Sequence, residues 1–298
     1  MILEGVTVPL ITPLNEDQSL DHESLARTID HVVSGGVDAI FVLGTSGEFA
    51  NLSRKTKDEL VVTAKSLIGE RVKYYVGIAR ASAGTTVEEG EYIQSLGVDI
   101  DAFVTLPPLY YAYNQAELVQ HFTSIADRLS LPITIYNIPG LVRQPVTAEV
   151  VEHLAAHPNI AGIKNTCMDM LNFRNLMTLK ESYPDFMISQ GHLFNVLECL
   201  VYGANGLTLG VGTLVPHWCT EMYQAVKKGD RRTAADIFHR LLHIDPIGIK
   251  GSWSAGLKAQ CAMLGLCKPH LSVPFEQVSD ADRSFLRQKL VDVGLLAE

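Results

Sequence analysis

Eight short apolar runs, separated by longer amphipathic stretches, constrain the fold more than any other feature. They are VTVPL at 6–10, AIFVL at 39–43, YYVGI at 74–78, AFVTL at 102–106, ITIY at 133–136, IAGIK at 160–164, FMIS at 186–189 and GLTLG at 206–210. None alternates cleanly with polar residues, as a strand with one wet face would, so each reads as a parallel strand covered on both sides. Helical patterns lie between them, for example over 21–36, 54–69 and 114–130. Asp21, Ser53 and Asn114 stand where they can cap these helices, and Gly35–Gly36 or Gly69 supplies a stop. Parallel neighbours require such crossovers, so the repeat predicts an α/β chain folded as an eight-stranded βα barrel. A doubly wound nucleotide fold would need a glycine-rich fingerprint, and GTSGE at 44–48 matches neither GxGxxG nor the P-loop pattern.

Beyond residue 210 the pattern turns helical, over 215–230, 231–244, 251–266 and 278–297. The expectation is one catalytic domain over 1–298, with a barrel core at 1–214 and C-terminal helices at 215–298. With 47% hydrophobic residues, the chain can fill a core of that size. The net charge of -9 argues against a broad nucleic-acid footprint and against attraction to anionic membranes, while leaving room for a local anion pocket. The five cysteines form no CxxC pair or zinc-ligand spacing and read as buried thiols. No HExxH or EF-hand pattern points to a metal-dependent mechanism. MILEGVTVPL at the start lacks the basic segment of a secretory signal, and no apolar stretch is long enough to span a bilayer, so a cytoplasmic protein is expected.

In such a barrel the carboxyl ends of the strands converge on the active face. Lys164 closes the sixth run; desolvated, it can attack a carbonyl as a neutral amine, and otherwise it faces solvent or a carboxylate. Tyr136 closes the fifth run and either exchanges a proton with a substrate oxygen or packs its ring in the barrel mouth. In LGTSGEF at 43–49, Ser46 and backbone N–H groups around Gly47 can bind a carboxylate, and Thr45 can pass a proton. The same segment can equally be a structural turn, with Glu48 capping a helix or bracing the loop. LYYAY at 109–113 can close a pocket, supply a relay hydroxyl, make a subunit contact or simply pack as a loop. Gly191 and Gly210 follow the seventh and eighth runs, and Arg143 and His192 lie in loops where they select a substrate or are solvated.

GTSGE at 44–48, YY at 110–111, YNIP at 136–139 and AGIK at 161–164, in that order and with Lys164 28 positions after Tyr136, resemble the dihydrodipicolinate synthase and N-acetylneuraminate lyase family. The resemblance covers essentially the whole chain. It implies a TIM barrel and class I, pyruvate-dependent aldolase chemistry, with Lys164 as the Schiff-base lysine and Tyr136 as the principal acid-base residue. It further implies that Thr45 joins the proton relay and that Tyr111 reaches in from the neighbouring subunit of a tight dimer. Ser46 and nearby amides would hold the carboxylate of pyruvate, and the assembly would be a homotetramer, a dimer of dimers. No metal, nicotinamide or pyridoxal cofactor is implied, because the lysine supplies the electron sink.

Dihydrodipicolinate synthases usually carry YNxPxR, whereas Leu141 stands at the arginine position here and Arg143 lies two residues on. YNIPGL at 136–141 and VLGTSGEF at 42–49 are more similar to the sialic acid lyases and the 2-keto-3-deoxy sugar acid aldolases. Many members have an acidic residue just past the glycine after the seventh strand, where this chain reads GHLFN at 191–195. The reading is therefore cleavage of a 2-keto-3-deoxy sugar acid to pyruvate and an aldehyde. The alternatives are 4-hydroxy-tetrahydrodipicolinate synthase, N-acetylneuraminate lyase, a sugar-acid dehydratase or hydratase-aldolase, and a non-catalytic barrel that binds 2-oxo acids.

Overall fold

The apolar runs fold as strands whose ends fall within two residues of the expected bounds. A computed structural model describes residues 1–297. Strands β1 (Gly5–Pro9), β2 (Ala39–Val42), β3 (Lys73–Gly77), β4 (Ala102–Thr105), β5 (Ile133–Asn137), β6 (Ile160–Asn165), β7 (Met187–Gln190) and β8 (Gly206–Thr208) follow in order around a closed barrel. The crossovers hold α1 (His22–Ser34), α2 (Arg54–Ile68), α3 (Ala83–Ser95), α4 (Gln115–Ala126), a short α5 (Pro139–Val142), α6 (Ala148–Ala155), α7 (Met170–Thr178) and α8 (Val196–Val201). Then come α9 (Pro216–Lys228), α10 (Arg231–Ile244), α11 (Trp253–Met263) and α12 (Asp280–Asp292).

The capping residues act as their chemistry requires. Asp21 and Ser53 accept from the N–H groups of Ser24 and Thr56, and Asn114 forms a reciprocal capping box with Glu117. Gly35 and Gly69 end α1 and α2. Two expectations need correction. Strand β8 stops at Thr208 and Gly210 opens a 3-10 turn (Gly210–Thr213), because the chain bends toward α9 there. Cys167 is only half-buried, since it lies past the end of β6 in the loop leading to α7, whereas the other four cysteines are buried.

Two compact units make up the chain: residues 1–7 with 73–208, and residues 8–72 with the part from Leu209 onward. In the first, β3 to β8 and the start of β1 pair in parallel, with Tyr136 opposite Lys164 and Lys164 opposite Ser189. Tyr74, Tyr75, Phe103, Phe122 and Phe173 are fully buried in it and, with the buried aliphatic side chains around them, stabilise it. In the second, α1 packs on α2 and α9, and α12 packs on α10 and α11. Ala255, Ala259, Leu271, Val278 and Leu286 form an apolar cluster there, which seats the last helix. Among the described residues, no helix is long and apolar enough to cross a membrane.

Candidate active site

The parallel register of β5 and β6 sets Tyr136 beside Lys164 at the carboxyl ends of their strands. Both are 4% exposed, and the Lys164 Nζ lies 3.8 Å from the centroid of the Tyr136 ring. Burial pulls the Lys164 amine below the ordinary lysine value, because a charged ammonium loses its hydration there. The charge interaction and hydrogen bond with Tyr136 oppose that shift and are the smaller effects. On the other flank Ser189 is the register partner of Lys164, and its hydroxyl is 2.8 Å from that of Thr208. This buried pair of hydroxyls was missed by the sequence reading. Its only trace in the sequence is a serine inside the apolar run 186–189, which does not tell whether the hydroxyl faces Lys164.

The next residues outward form an amide layer. Asn137 Nδ2 donates to Asn165 Oδ1 at 2.8 Å, and Asn137 Oδ1 accepts from the Val146 N–H at 3.0 Å. Gln190 Oε1 accepts from the N–H groups of Gly191 and His192. A Cβ at Gly191 would stand 2.2 Å from Thr166 Oγ1 and 3.1 Å from Lys164 Cε, so only glycine lets this loop pass so close to the lysine. Among the described residues, the buried Thr166 Oγ1 has no hydrogen-bond partner, which leaves a hydroxyl near Lys164 uncommitted. In the sequence Thr166 lies just past the apolar run that ends at Lys164 and carries no signal of its own.

The remaining candidates lie on the loops that follow the strands. His192 is half-buried and caps the 3-10 turn Leu193–Asn195, its Nδ1 accepting from the Phe194 N–H at 3.4 Å. Arg143 is exposed, in left-handed backbone at φ +59°, at the end of α5. Leu141 is exposed on the same short helix. Tyr111 is 67% exposed, with edge-on contacts to Tyr110 and Tyr113. The loop that carries them is held by a residue the sequence reading passed over. Gln144 donates to the carbonyls of Pro108 and Tyr111 and accepts from the Tyr113 N–H.

In the other compact unit, the segment after β2 is a tight turn. The Gly47 N–H donates to Gly44 O and the Glu48 N–H to Thr45 O, at 3.1 and 3.0 Å, so both amides serve the turn. Thr12 Oγ1 donates to Gly47 O at 2.7 Å. Ser46 is buried and Thr45 half-buried. A Cβ at Gly210 would meet Trp253 Cη2 at 2.4 Å and Ser46 Oγ at 2.9 Å, so the missing side chain admits both. The Trp253 indole N–H is held by the buried Asp245 carboxylate, which fixes the ring. Among the described residues, no cluster of His, Cys, Asp and Glu could hold a metal ion.

A parallel βα barrel with a desolvated lysine beside a tyrosine at adjoining strand ends is suited to carbonyl chemistry through an imine. The model of the dihydrodipicolinate synthetase family matches residues 2–292. The chain belongs to this family, and its chemistry is that of a class I, lysine-dependent, pyruvate-linked lyase. YagE of Escherichia coli K12 is 31% identical over 82% of this chain and 80% of its own. The 4-hydroxy-tetrahydrodipicolinate synthase of Bartonella bacilliformis is 29% identical over the full length of both. The solved structure of E. coli YagE in complex with pyruvate superposes with a TM-score of 0.93 at 26% identity, over 99% of this chain and 100% of that one.

Proposed function

We propose that this enzyme cleaves a 2-keto-3-deoxy sugar acid to pyruvate and an aldehyde through an imine on Lys164. The observation that carries the reading is the buried Lys164 amine, lowered in pKa, 3.8 Å from the Tyr136 ring on the neighbouring strand. The neutral amine attacks the C2 carbonyl, and the carbinolamine takes up a proton and loses water to give a protonated imine. Tyr136 accepts the proton of the C4 hydroxyl as the C3–C4 bond breaks, and the electron pair of that bond moves to the imine to form an enamine. The aldehyde leaves, Tyr136 returns its proton to C3, and water hydrolyses the protonated imine to release pyruvate, the neutral lysine and the proton taken up when the imine formed. Thr45 relays the proton, and Ser46 binds the carboxylate. Gly191 and Gly210 leave space at the strand ends. The roles of Thr45 and Ser46 follow the family resemblance, as does the entry of Tyr111 into a neighbouring subunit's site within a dimer of dimers.

Two observations favour a sugar acid over aspartate semialdehyde. Leu141 presents an apolar side chain where a carboxylate-binding arginine is usual, and Arg143 is turned into the left-handed cap of α5. The relative YagE bears the name "Putative 2-dehydro-3-deoxy-D-gluconate aldolase". The test is borohydride reduction in the presence of pyruvate, read by peptide mass spectrometry. A panel of 2-keto-3-deoxy sugar acids, N-acetylneuraminate and aspartate semialdehyde with pyruvate follows. A reduced adduct on Lys164 and pyruvate release from one sugar acid are expected. An adduct elsewhere, or none on folded protein, overturns the reaction. Turnover of aspartate semialdehyde alone overturns the substrate class.

A further inference from the structure

The turn that carries Thr45 and Ser46 is fastened to the C-terminal segment by a buried charge pair. Glu48 and Lys258 are 3% and 1% exposed, and Glu48 Oε1 forms an ion pair with Lys258 Nζ. The second carboxylate oxygen accepts both the N–H and the hydroxyl of Ser272, each at 2.7 Å. Glu48 holds left-handed backbone at φ +57°, a conformation disfavoured for any residue with a Cβ, and its own N–H closes the turn onto Thr45 O. Its carboxylate anchor therefore fixes the residues two and three positions earlier.

Stability alone does not account for this arrangement. Removing a carboxylate and an ammonium from water costs about as much as their attraction returns, and a packed apolar pair stabilises as well or better. Among the described residues, Lys258 Nζ has no hydrogen-bond acceptor that adds to the ion pair. What the pair does supply is a fixed direction and length between α11 and the turn. The segment that provides Ser272 is itself stitched down by other bonds. Gln18 donates to Leu271 O and accepts from the Val273 N–H, and Lys268 reaches both Asn15 and Asp21. The segment thus has its own anchorage, and the Glu48 contacts join it to the turn.

We propose that Glu48 and Lys258, together with Ser272, are positioning residues for Thr45 and Ser46, and that this is the contribution of the C-terminal segment to the reaction. The inference rests on the imine reading above. Misplacing a reacting or binding group by an ångström costs about 100-fold in rate, so a relaxed turn weakens both pyruvate capture and turnover.

The experiment compares wild-type enzyme with Glu48→Met/Lys258→Met, Glu48→Gln/Lys258→Met and Ser272→Ala, each checked by thermal melting. The apolar double variant is expected to melt near the wild type. It should need about 10-fold more pyruvate for half-maximal borohydride trapping and turn over about 100-fold more slowly. The Gln-containing variant keeps an acceptor for Ser272 and should recover part of the loss, with Ser272→Ala falling between it and the wild type. A folded apolar double variant with wild-type trapping and turnover overturns the inference. If that variant does not fold, wild-type parameters in Ser272→Ala do the same. Absence of any Lys164 adduct in the wild type instead overturns the proposed reaction, and this inference with it.

Discussion

Lys164 and Tyr136 are register partners on adjacent parallel strands, and the lysine Nζ sits 3.8 Å from the tyrosine ring centroid. The ring helps to desolvate the amine, while the hydrogen bond and charge interaction with Tyr136 act in the opposite direction. Burial is the larger effect, so the neutral, nucleophilic form of Lys164 gains population at neutral pH compared with a lysine in water.

The first prediction concerns pH. The trapping rate with pyruvate should rise with pH through a midpoint below the ordinary lysine value of 10.5. The unfolded chain binds more protons than the folded one between that lowered value and 10.5, so Lys164 makes stability rise with pH across this window. Lys164→Met should abolish the adduct. It should also raise the melting temperature most at pH below the lowered value, with the gain shrinking as pH approaches 10.5. A gain that is independent of pH, measured by melting from neutral to alkaline buffer, would contradict this.

Tyr136→Phe preserves the ring and removes the hydroxyl. Turnover should fall by about 100- to 10,000-fold, the usual range for a lost acid-base group. Because the interactions with Tyr136 raise the Lys164 value, their loss should also move the midpoint of trapping to lower pH. An unchanged midpoint in single-turnover trapping would show that the two side chains are not coupled in solution.

Gly191→Ala introduces a Cβ 2.2 Å from Thr166 Oγ1 and 3.1 Å from Lys164 Cε. Overpacking of this kind costs about 1–3 kcal/mol, and relief of the clash displaces the lysine arm. Denaturant melts should show the lost stability, and trapping should slow by more than the lost stability explains. Equal trapping rates in folded protein would place the lysine arm away from this loop.

His121 is buried with its Nε2 against Leu106 O at 3.1 Å, and burial lowers its pKa to about 4 from 6.5. The unfolded state binds the extra proton between those values, so stability should decline as pH falls from 6.5 toward 4. The single group contributes roughly 3 kcal/mol over that window at 1.36 kcal/mol per pKa unit. His121→Gln keeps a donor for Leu106 O without a titrating ring. Its denaturation midpoint should therefore vary less between these pH values than that of the wild type.

The architecture was legible because its signals are local. Apolar runs, helix periods and the caps Asp21, Ser53 and Asn114 each act within a few residues, and the eight strands lie where those signals put them. Lys164 and Tyr136 could be placed at neighbouring strand ends from the sequence because strand ends converge in a barrel. Ser189 and Thr166 were not, since a hydroxyl near the end of a strand looks the same in sequence whether or not it faces a lysine. Gln144 had no signal, as its three partners lie more than 30 residues away.

By itself, then, the sequence determined the repeat, its strands and helices, and the two residues suited to imine chemistry. Only the tertiary structure decided that the Lys164 amine is stripped of water, that Gly191 leaves it room, and that Glu48 bonds to Ser272 across 224 residues of chain. Local propensity depends on neighbours three or four positions apart. Desolvation and long-range hydrogen bonds depend on which surfaces packing brings together.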